Sequence, residues 1–180
     1  MNVIARTPGS ALILGVMVSS GFSAAAQDAT PGTAPAAGPV GVSSTLLGSG
    51  EPSLVPGHEL ILRRVTIEPG GRLPSHTHPG AMVIYLEAGT WGYIPLQGVA
   101  QLTRAAVDGT PSPTEDMVLG TETMLQPGDV IYVEDPGDDI RNAGEDQVVL
   151  WVAGLTPVGV PFTTLMPDMD MAMGSGTSAP

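Results

Sequence analysis

Two of the three histidines in the chain lie one residue apart, in a stretch that could bind a metal ion. The stretch "GGRLPSHTHPGAMVIYLEAG" covers residues 70–89 and contains His76 and His78. Neutral imidazole nitrogens are good ligands for Fe, Mn, Ni, Cu and Zn ions. If both histidines enter the strand that continues through Met82, strand alternation places them on one face with Met82 and Ile84. The pattern therefore predicts a two-histidine half-site that faces an apolar interior.

The segments around this pair read as short strands separated by turns. Pro-Gly and other Gly-containing turns separate them, and no segment has a convincing helical period near 3.6 residues. The predicted strands cover residues 58–67, 82–88, 91–96, 98–105, 129–135 and 147–155. Regularly spaced strands of this kind predict an all-β antiparallel sandwich or small barrel.

The two ends of the chain do not follow the strand pattern. Residues 1–26 combine one arginine, a short apolar run and three alanines, which is typical of a cleaved signal peptide. About eight apolar residues are too few for a span of about 20 residues, so we expect a secreted or periplasmic protein without membrane insertion after cleavage. A Pro/Ala/Gly-rich linker is predicted at 27–41, a folded domain at 42–165 and a flexible Met/Asp-rich tail at 166–180. The methionines of this tail could capture Cu(I).

The composition excludes several kinds of chemistry. The chain has no cysteine and no lysine, so a thiolate nucleophile, a disulfide and a lysine Schiff base are all excluded. The formal net charge of −12 repels nucleic acid and anionic lipid. The chemistry must therefore come from histidine, carboxylate, methionine or backbone groups.

Two motifs of the chain resemble those of the cupin superfamily. In the first, Gly70 is followed by His76, His78 and the closing Gly89, and in the second, "QPGDVIYVEDPGDDIRNAG" combines a Pro-Gly-Asp turn, an apolar strand and Asn142. The resemblance implies a double-stranded β-helix, or jelly-roll barrel, and is compatible with a homodimer. It also implies a metal held by two His and one Glu of the first motif and one His of the second.

Two of these four ligand positions differ in this chain. His76 and His78 match the family pattern, whereas the position of the Glu is Met82 and that of the second-motif His is Asp138. Glu87 differs from Met82 by five positions, so in a strand it should point to the opposite face and cannot replace the acid.

Three hypotheses for the site stay open at this point. In the first, His76, His78 and Asp138 form a two-His, one-carboxylate site suited to Fe(II) and O₂, with Asp139 as an alternative ligand. In the second, the metal is weak or absent and the barrel is a binding cavity. In the third, Met82 adds a thioether ligand and favours copper.

The pocket itself is predicted from strand parity and from the second motif. Its candidate wall residues are Met82, Ile84 and Tyr132. On the first hypothesis the protein is a dioxygenase-type enzyme that acts on a small organic molecule, and if the carboxylate is a ligand, its atoms should converge with the imidazole nitrogens to within about 4 Å. On the alternative it is a non-catalytic small-molecule-binding or scaffold protein of the same fold.

Overall fold

The computed structural model describes residues 38–110 and 112–167 and shows a chain of β-strands joined by turns. The strands are β1 (Val40–Gly50), β2 (His58–Thr77), β3 (Ala81–Ala88), β4 (Trp91–Thr103), β5 (Thr114–Asp116), β6 (Thr123–Leu125), β7 (Val130–Asn142), β8 (Val148–Pro157) and β9 (Thr164–Leu165). Among the described residues there is no helix long and apolar enough to cross a membrane. The predicted signal peptide, most of the linker and most of the Met-rich tail lie outside the described residues.

The long strand β2 closes the barrel. Its first part, residues 58–67, pairs with β8, and its last part, residues 72–77, pairs with β7. Strand β3 lies between β8 and β7 and pairs with both, so β2, β8, β3 and β7 form a closed antiparallel ring. Strands β1 and β9 extend this ring beside β2, and β4 pairs with β7 and carries β5 and β6. The predicted all-β, jelly-roll fold is confirmed.

Two segments predicted as turns lie inside strands instead. Residues 68–71 belong to β2, and residues 97–98 belong to β4, so the two strands predicted at 91–96 and 98–105 are one. Gly70 and Gly98 have φ values of +73° and +80°, and the β4–β7 register shifts on both sides of Gln97. Glycine at a positive φ bends a strand at such points without ending its pairing.

Strand β1 was not predicted. It begins at Val40, inside the segment read as a linker, and its sequence VGVSSTLLGSG is mostly small, polar and exposed. Such residues carry little β-propensity of their own, so β1 exists because the edge of β2 supplies its hydrogen-bonding partner. Strand β1 forms one side of the cavity described below.

The inner face of the barrel is filled with large apolar side chains. Fully buried members include Ile67, Leu86, Trp91, Leu102, Leu125, Ile131, Val133 and Val148. Each contributes roughly 1.5–3 kcal/mol relative to an exposed position. Together they form the core of the barrel, and a cavity lies beside the histidines.

Candidate metal centre

The structure brings together the three ligands predicted for the two-His, one-carboxylate site. His76 is the penultimate residue of β2 and His78 follows the end of that strand, so, contrary to expectation, neither belongs to the strand of Met82. His76 is the direct cross-strand partner of Asp138 in β7. One nitrogen from each histidine and one oxygen of Asp138 all lie within 4.8 Å of one another. This spacing is wider than the predicted value of about 4 Å, so the side chains must draw slightly together if bonds of about 2.1 Å are to form.

The cluster is shielded from solvent. His76 is 0% exposed, Asp138 is 3% exposed and His78 is half-buried. Asp138 therefore points into the barrel and not to solvent. A carboxylate in such a place needs a cation or hydrogen-bond donors to offset the loss of its hydration.

Backbone carbonyls fix the orientation of both imidazole rings. His76 Nδ1 donates to the carbonyl of Pro74 at 2.9 Å, and His78 Nδ1 donates to the carbonyl of Phe162 at 2.6 Å. A carbonyl oxygen can only accept, so in each neutral ring the lone pair is on Nε2. This arrangement, with Nδ1 bound to an outer partner and Nε2 free, is the one that metal-binding histidines use.

The Nε2 atom of His76 shows whether the residues of the cluster fit a metal ion. His76 Nε2 lies 3.0 Å from Asp138 Oδ1, yet it is a buried atom without a hydrogen-bond partner of suitable geometry. A buried polar atom without a partner is rare in folded proteins. Two imidazole lone pairs and a carboxylate that converge in a buried site form a donor set that fits a divalent transition-metal ion.

Tyr93 holds the carboxylate in place. Its hydroxyl donates to Asp138 Oδ2 at 3.3 Å, so the Oδ1 atom is left facing the histidines. Burial and the charge of Asp138 raise the pKa of Tyr93 above its ordinary value, and the hydroxyl therefore remains a donor at any physiological pH. Tyr93 is thus an outer partner of the candidate ligand Asp138.

The two histidines have opposite pKa shifts. Burial lowers the pKa of His78 below its ordinary value, which favours the neutral, ligating form. Burial also acts to lower the pKa of His76, but its contact with Asp138 outweighs this effect and raises that pKa. Without a metal, His76 can therefore hold a proton beside Asp138, and an ion that binds there must displace it.

The cluster lies at the wall of a small apolar cavity. The cavity has a volume of about 70 Å³, several-fold below the roughly 300–1,000 Å³ of pockets that hold drug-sized ligands. The side chains that surround it are mostly apolar and include Leu73, Met82, Ile84, Ile140, Leu150 and Val152. The exposed residues among those that line it are Ser44 of β1 and Thr163 of the loop that follows β8, and we therefore assign its mouth to the space between them.

Of the three candidate wall residues, the structure places the two predicted from strand parity at the cavity and the one predicted from the second motif elsewhere. Met82 and Ile84 line the cavity. Tyr132 does not: it lies on the outer side of β7, where its hydroxyl donates to Glu134. The reason is an irregularity near Asp135, which has a φ of +41° and follows Glu134 at a shift in the β4–β7 register. The inward face of β7 changes parity there, so Tyr132 and Asp138 face opposite ways.

The other acidic candidates lie outside the cluster. Asp139 is bound by Arg72 at 3.3 Å and by Ser75 at 3.5 Å, on the side of β7 that faces away from the histidines. Glu87 accepts a hydrogen bond from Trp151 Nε1 at 2.7 Å on the outer surface, as its parity predicted. Asp138 is therefore the carboxylate that accompanies the histidines.

Sequence reasoning missed Tyr93 and Phe162. Tyr93 belongs to a predicted strand, and its alternation with Trp91 and Pro95 indicated an inward face, but nothing in the sequence pairs it with Asp138. Phe162 acts through its backbone carbonyl, which carries no sequence signal at all.

Comparisons with known proteins find similarity to solved structures. No protein-family model matches the sequence, and no curated protein matches it. Among solved structures, it is similar to a cupin 2 domain-containing protein from Halorhodospira halophila, with 16% identity over 72% of each chain and a TM-score of 0.46. It is also similar to the oxalate decarboxylase of Lactobacillus farciminis, with 18% identity and a TM-score of 0.40 over 59% of this chain and 26% of that one.

A third similar structure is the salicylate 1,2-dioxygenase of Pseudoaminobacter salicylatoxidans. The identity is 14% and the TM-score 0.41, over 63% of this chain and 25% of that chain in its gentisate complex. The chain thus spans about a quarter of the length of the two enzymes. The closed antiparallel ring of β2, β8, β3 and β7, with the histidine pair beside the end of β2, agrees with the jelly-roll barrel that the resemblance to the cupin motifs implied.

Proposed function

We propose that the protein binds a divalent metal ion through His76, His78 and Asp138 and uses it to oxidise a small organic molecule with O₂. The observation that carries this proposal is the pair of imidazole rings whose Nδ1 atoms are bound to carbonyls, so that both free nitrogens lie beside a buried carboxylate. Two histidines and one carboxylate leave coordination positions open, which is the ligand set of non-haem Fe(II) oxygenases. When bound, such an ion would supply Lewis-acid and one-electron chemistry.

The residues around the cluster have separable tasks in this proposal. Tyr93 keeps one oxygen of Asp138 occupied and the other directed at the histidines. The apolar walls exclude water, which strengthens electrostatic interactions inside the cavity and protects reactive species from hydrolysis. Met82 belongs to this wall, packed between strands β7 and β8.

The size of the cavity limits the substrate. A volume of about 70 Å³ accommodates a molecule of only a few non-hydrogen atoms beside an ion. An aromatic substrate would need the mouth at Ser44 and Thr163 to widen. We therefore expect a short-chain substrate.

A non-catalytic binding protein is the second candidate, and one observation favours it. His76 and Asp138 are 3.0 Å apart, and the pKa of His76 is raised, so the two can neutralise each other as an ion pair without a metal. Buried ion pairs of this kind occur as purely structural elements. In that case the cavity would bind a small apolar molecule.

Metal analysis distinguishes the two candidates. The full-length chain and a His76→Ala, His78→Ala variant are purified in parallel, incubated with Fe(II), Mn(II), Ni(II), Cu(II) or Zn(II), desalted and measured by elemental analysis. The proposal expects about one ion per chain in the native protein and near-zero metal in the variant. Equal, near-zero metal in both would leave the non-catalytic candidate. Oxygen uptake by the Fe(II)-loaded protein with short-chain organic acids and alcohols then tests the oxidation step.

Export is proposed separately, on the sequence of residues 1–26. The short apolar run and the three alanines before Gln27 support a cleaved signal peptide. N-terminal sequencing of the protein from the native cells would find Gln27 first if this is correct, and Met1 or Asn2 if it is not. A homodimer stays a prediction from the family resemblance.

A further inference from the structure

Arg63 connects the two sides of the cavity mouth. It lies in β2 between Ile61 and Val65 and shares their inward face. Its Nη1 donates to Ser44 Oγ at 3.3 Å, and its Cζ atom lies 4.5 Å from the centre of the Phe162 ring. Arg63 is not itself among the residues that line the cavity, but its guanidinium group contacts two that are, Ser44 and Phe162.

The charge of Arg63 is not neutralised by a carboxylate of the described residues. Arg72, Arg104 and Arg141 each form an ion pair with an Asp or Glu, whereas none of these ion pairs involves Arg63. Its Nε atom is also buried without a hydrogen-bond partner. In a chain with 18 acidic and 6 basic residues, an inward-facing arginine with a donor to spare is unusual. Guanidinium groups bind carboxylates through paired N–H donors, so an arginine without a carboxylate partner is suited to an anion.

The proposed metal site also favours an anionic ligand. Two neutral imidazoles and one carboxylate around a divalent ion leave a net charge of +1 in the cavity. An apolar environment makes an uncompensated charge costly, and an anionic ligand removes that cost. Phe162 contacts both groups: its ring centroid is 4.6 Å from that of the candidate ligand His78 and 4.5 Å from Arg63 Cζ.

We propose that Arg63 is a specificity-determining residue that selects short organic carboxylates for the cavity. This inference rests on the proposed metal site. The anion passes the guanidinium group at the mouth and binds in the cavity, where the small volume limits it to a few non-hydrogen atoms. Neutral molecules of the same shape are disfavoured because they leave the positive charge of the site uncompensated.

The test uses the full-length protein loaded with Co(II), whose visible spectrum reports on ligands near the ion. Acetate and propionate are the probes, and acetamide is the neutral molecule of matching shape. The variants are Arg63→Gln and, as matched control, Arg64→Gln. Arg64 is the neighbouring arginine on the opposite face of β2, and it too forms none of the ion pairs among the described residues.

We expect acetate to bind about tenfold or more tightly than acetamide in the native protein. Arg63→Gln should reduce acetate affinity by about tenfold with Co(II) content unchanged, and Arg64→Gln should leave it within about twofold. If Arg63→Gln fails to fold, Arg63→Lys replaces it and should retain the preference for acetate over acetamide. Equal binding of acetate and acetamide, or equal acetate affinity in the two glutamine variants, would overturn this inference and leave the metal site standing. A native protein that takes up no Co(II) would overturn both.

Discussion

The backbone carbonyl of Phe162 accepts a hydrogen bond from His78 Nδ1 at 2.6 Å, although the two residues are 84 positions apart. The segment 162–166, here called the strap, is held against the end of β2 by the β9 ladder and by Met166 N, which donates to the carbonyl of Ser75 at 2.8 Å. Because a neutral imidazole donates only one proton, this contact leaves the lone pair of His78 on Nε2, in a ring whose nitrogens include one within 4.8 Å of ligand atoms of Asp138 and His76. The geometry of the site therefore depends on residues that follow the last strand of the ring.

Removing the strap should weaken metal binding while the barrel remains folded. A chain that ends after Gly159 lacks the Phe162 carbonyl, and the loss of such outer partners typically costs 10–100-fold in metal affinity. We expect a decrease of about that size for Co(II) or Zn(II), measured by competition with a chromogenic chelator.

A chain that ends after Pro167 is the control, because it keeps the strap and removes only the Met-rich residues that follow. Its affinity should equal that of the full chain. A loss of metal in this control would instead assign the binding to the methionines of the tail.

Replacing Asp138 should abolish metal binding, and replacing its neighbour should not. Asp138→Asn removes the negative charge from a side chain that is 3% exposed and lies 3.0 Å from His76. Asp139→Asn removes an equal charge one residue away, where the carboxylate contacts Arg72 and Ser75. Elemental analysis after desalting should find metal in the Asp139 variant only. Metal loss in the Asp139 variant with retention in the Asp138 variant would reassign the third ligand.

The hydroxyl of Tyr93 should matter for the metal and little for the rest of the fold. Tyr93→Phe leaves the ring in the core but frees Asp138 Oδ2, which accepts the hydroxyl at 3.3 Å. We expect metal affinity to fall by roughly tenfold or more and the free energy of unfolding by about 1–2 kcal/mol. Isothermal titration and urea unfolding measure the two quantities.

Tyr132→Phe provides the matched control for this variant. Its hydroxyl contacts Glu134 on the outer side of β7, away from the cluster. Metal affinity should be unchanged in it. Equal losses in both tyrosine variants would mean that the effect is not transmitted through Asp138.

The histidine pair and the all-β fold were predictable because they depend on local signals. Apolar alternation and Pro-Gly turns mark the strands, and the spacing of His76 and His78 between flanking glycines marks the pair as a candidate half-site. The position of Asp138 followed from the family resemblance, and the β2–β7 ladder places it directly opposite His76.

The failed or missing predictions concern features that depend on tertiary contacts. Tyr132 was expected at the pocket because it flanks the second motif, but strand parity changes at an irregularity near Asp135, and a non-glycine residue with positive φ has no reliable sequence signal. Strand β1 and the Phe162 carbonyl were missed for a related reason. Each depends on a partner far along the chain, and the sequence around it is small or polar.

The last prediction concerns Met82, which occupies the place of the family's acid. The structure gives this side chain a wall position: it is 2% exposed and lines the cavity, and its Cγ atom would lie 2.8 Å from a Cβ added at Gly154. Because Gly154 has no side chain, Met82 can occupy the space next to it. If Met82 is only a wall residue, Met82→Leu should keep the metal content and change the free energy of unfolding by less than about 1.5 kcal/mol.

Gly154→Ala tests the same packing from the other strand. The added methyl group must displace Met82 or the backbone, which should lower the free energy of unfolding by about 1–3 kcal/mol. Combining it with Met82→Ala should recover part of that loss, because the two changes act on one shared space and are not additive. Thermal or urea unfolding of the two single variants and the double variant measures the coupling.

The copper hypothesis makes the opposite prediction for Met82→Leu: with a thioether ligand removed, Cu(I) affinity would fall sharply while stability stayed the same. Cu(I) competition measurements on Met82→Leu therefore decide whether the sulfur atom packs or binds.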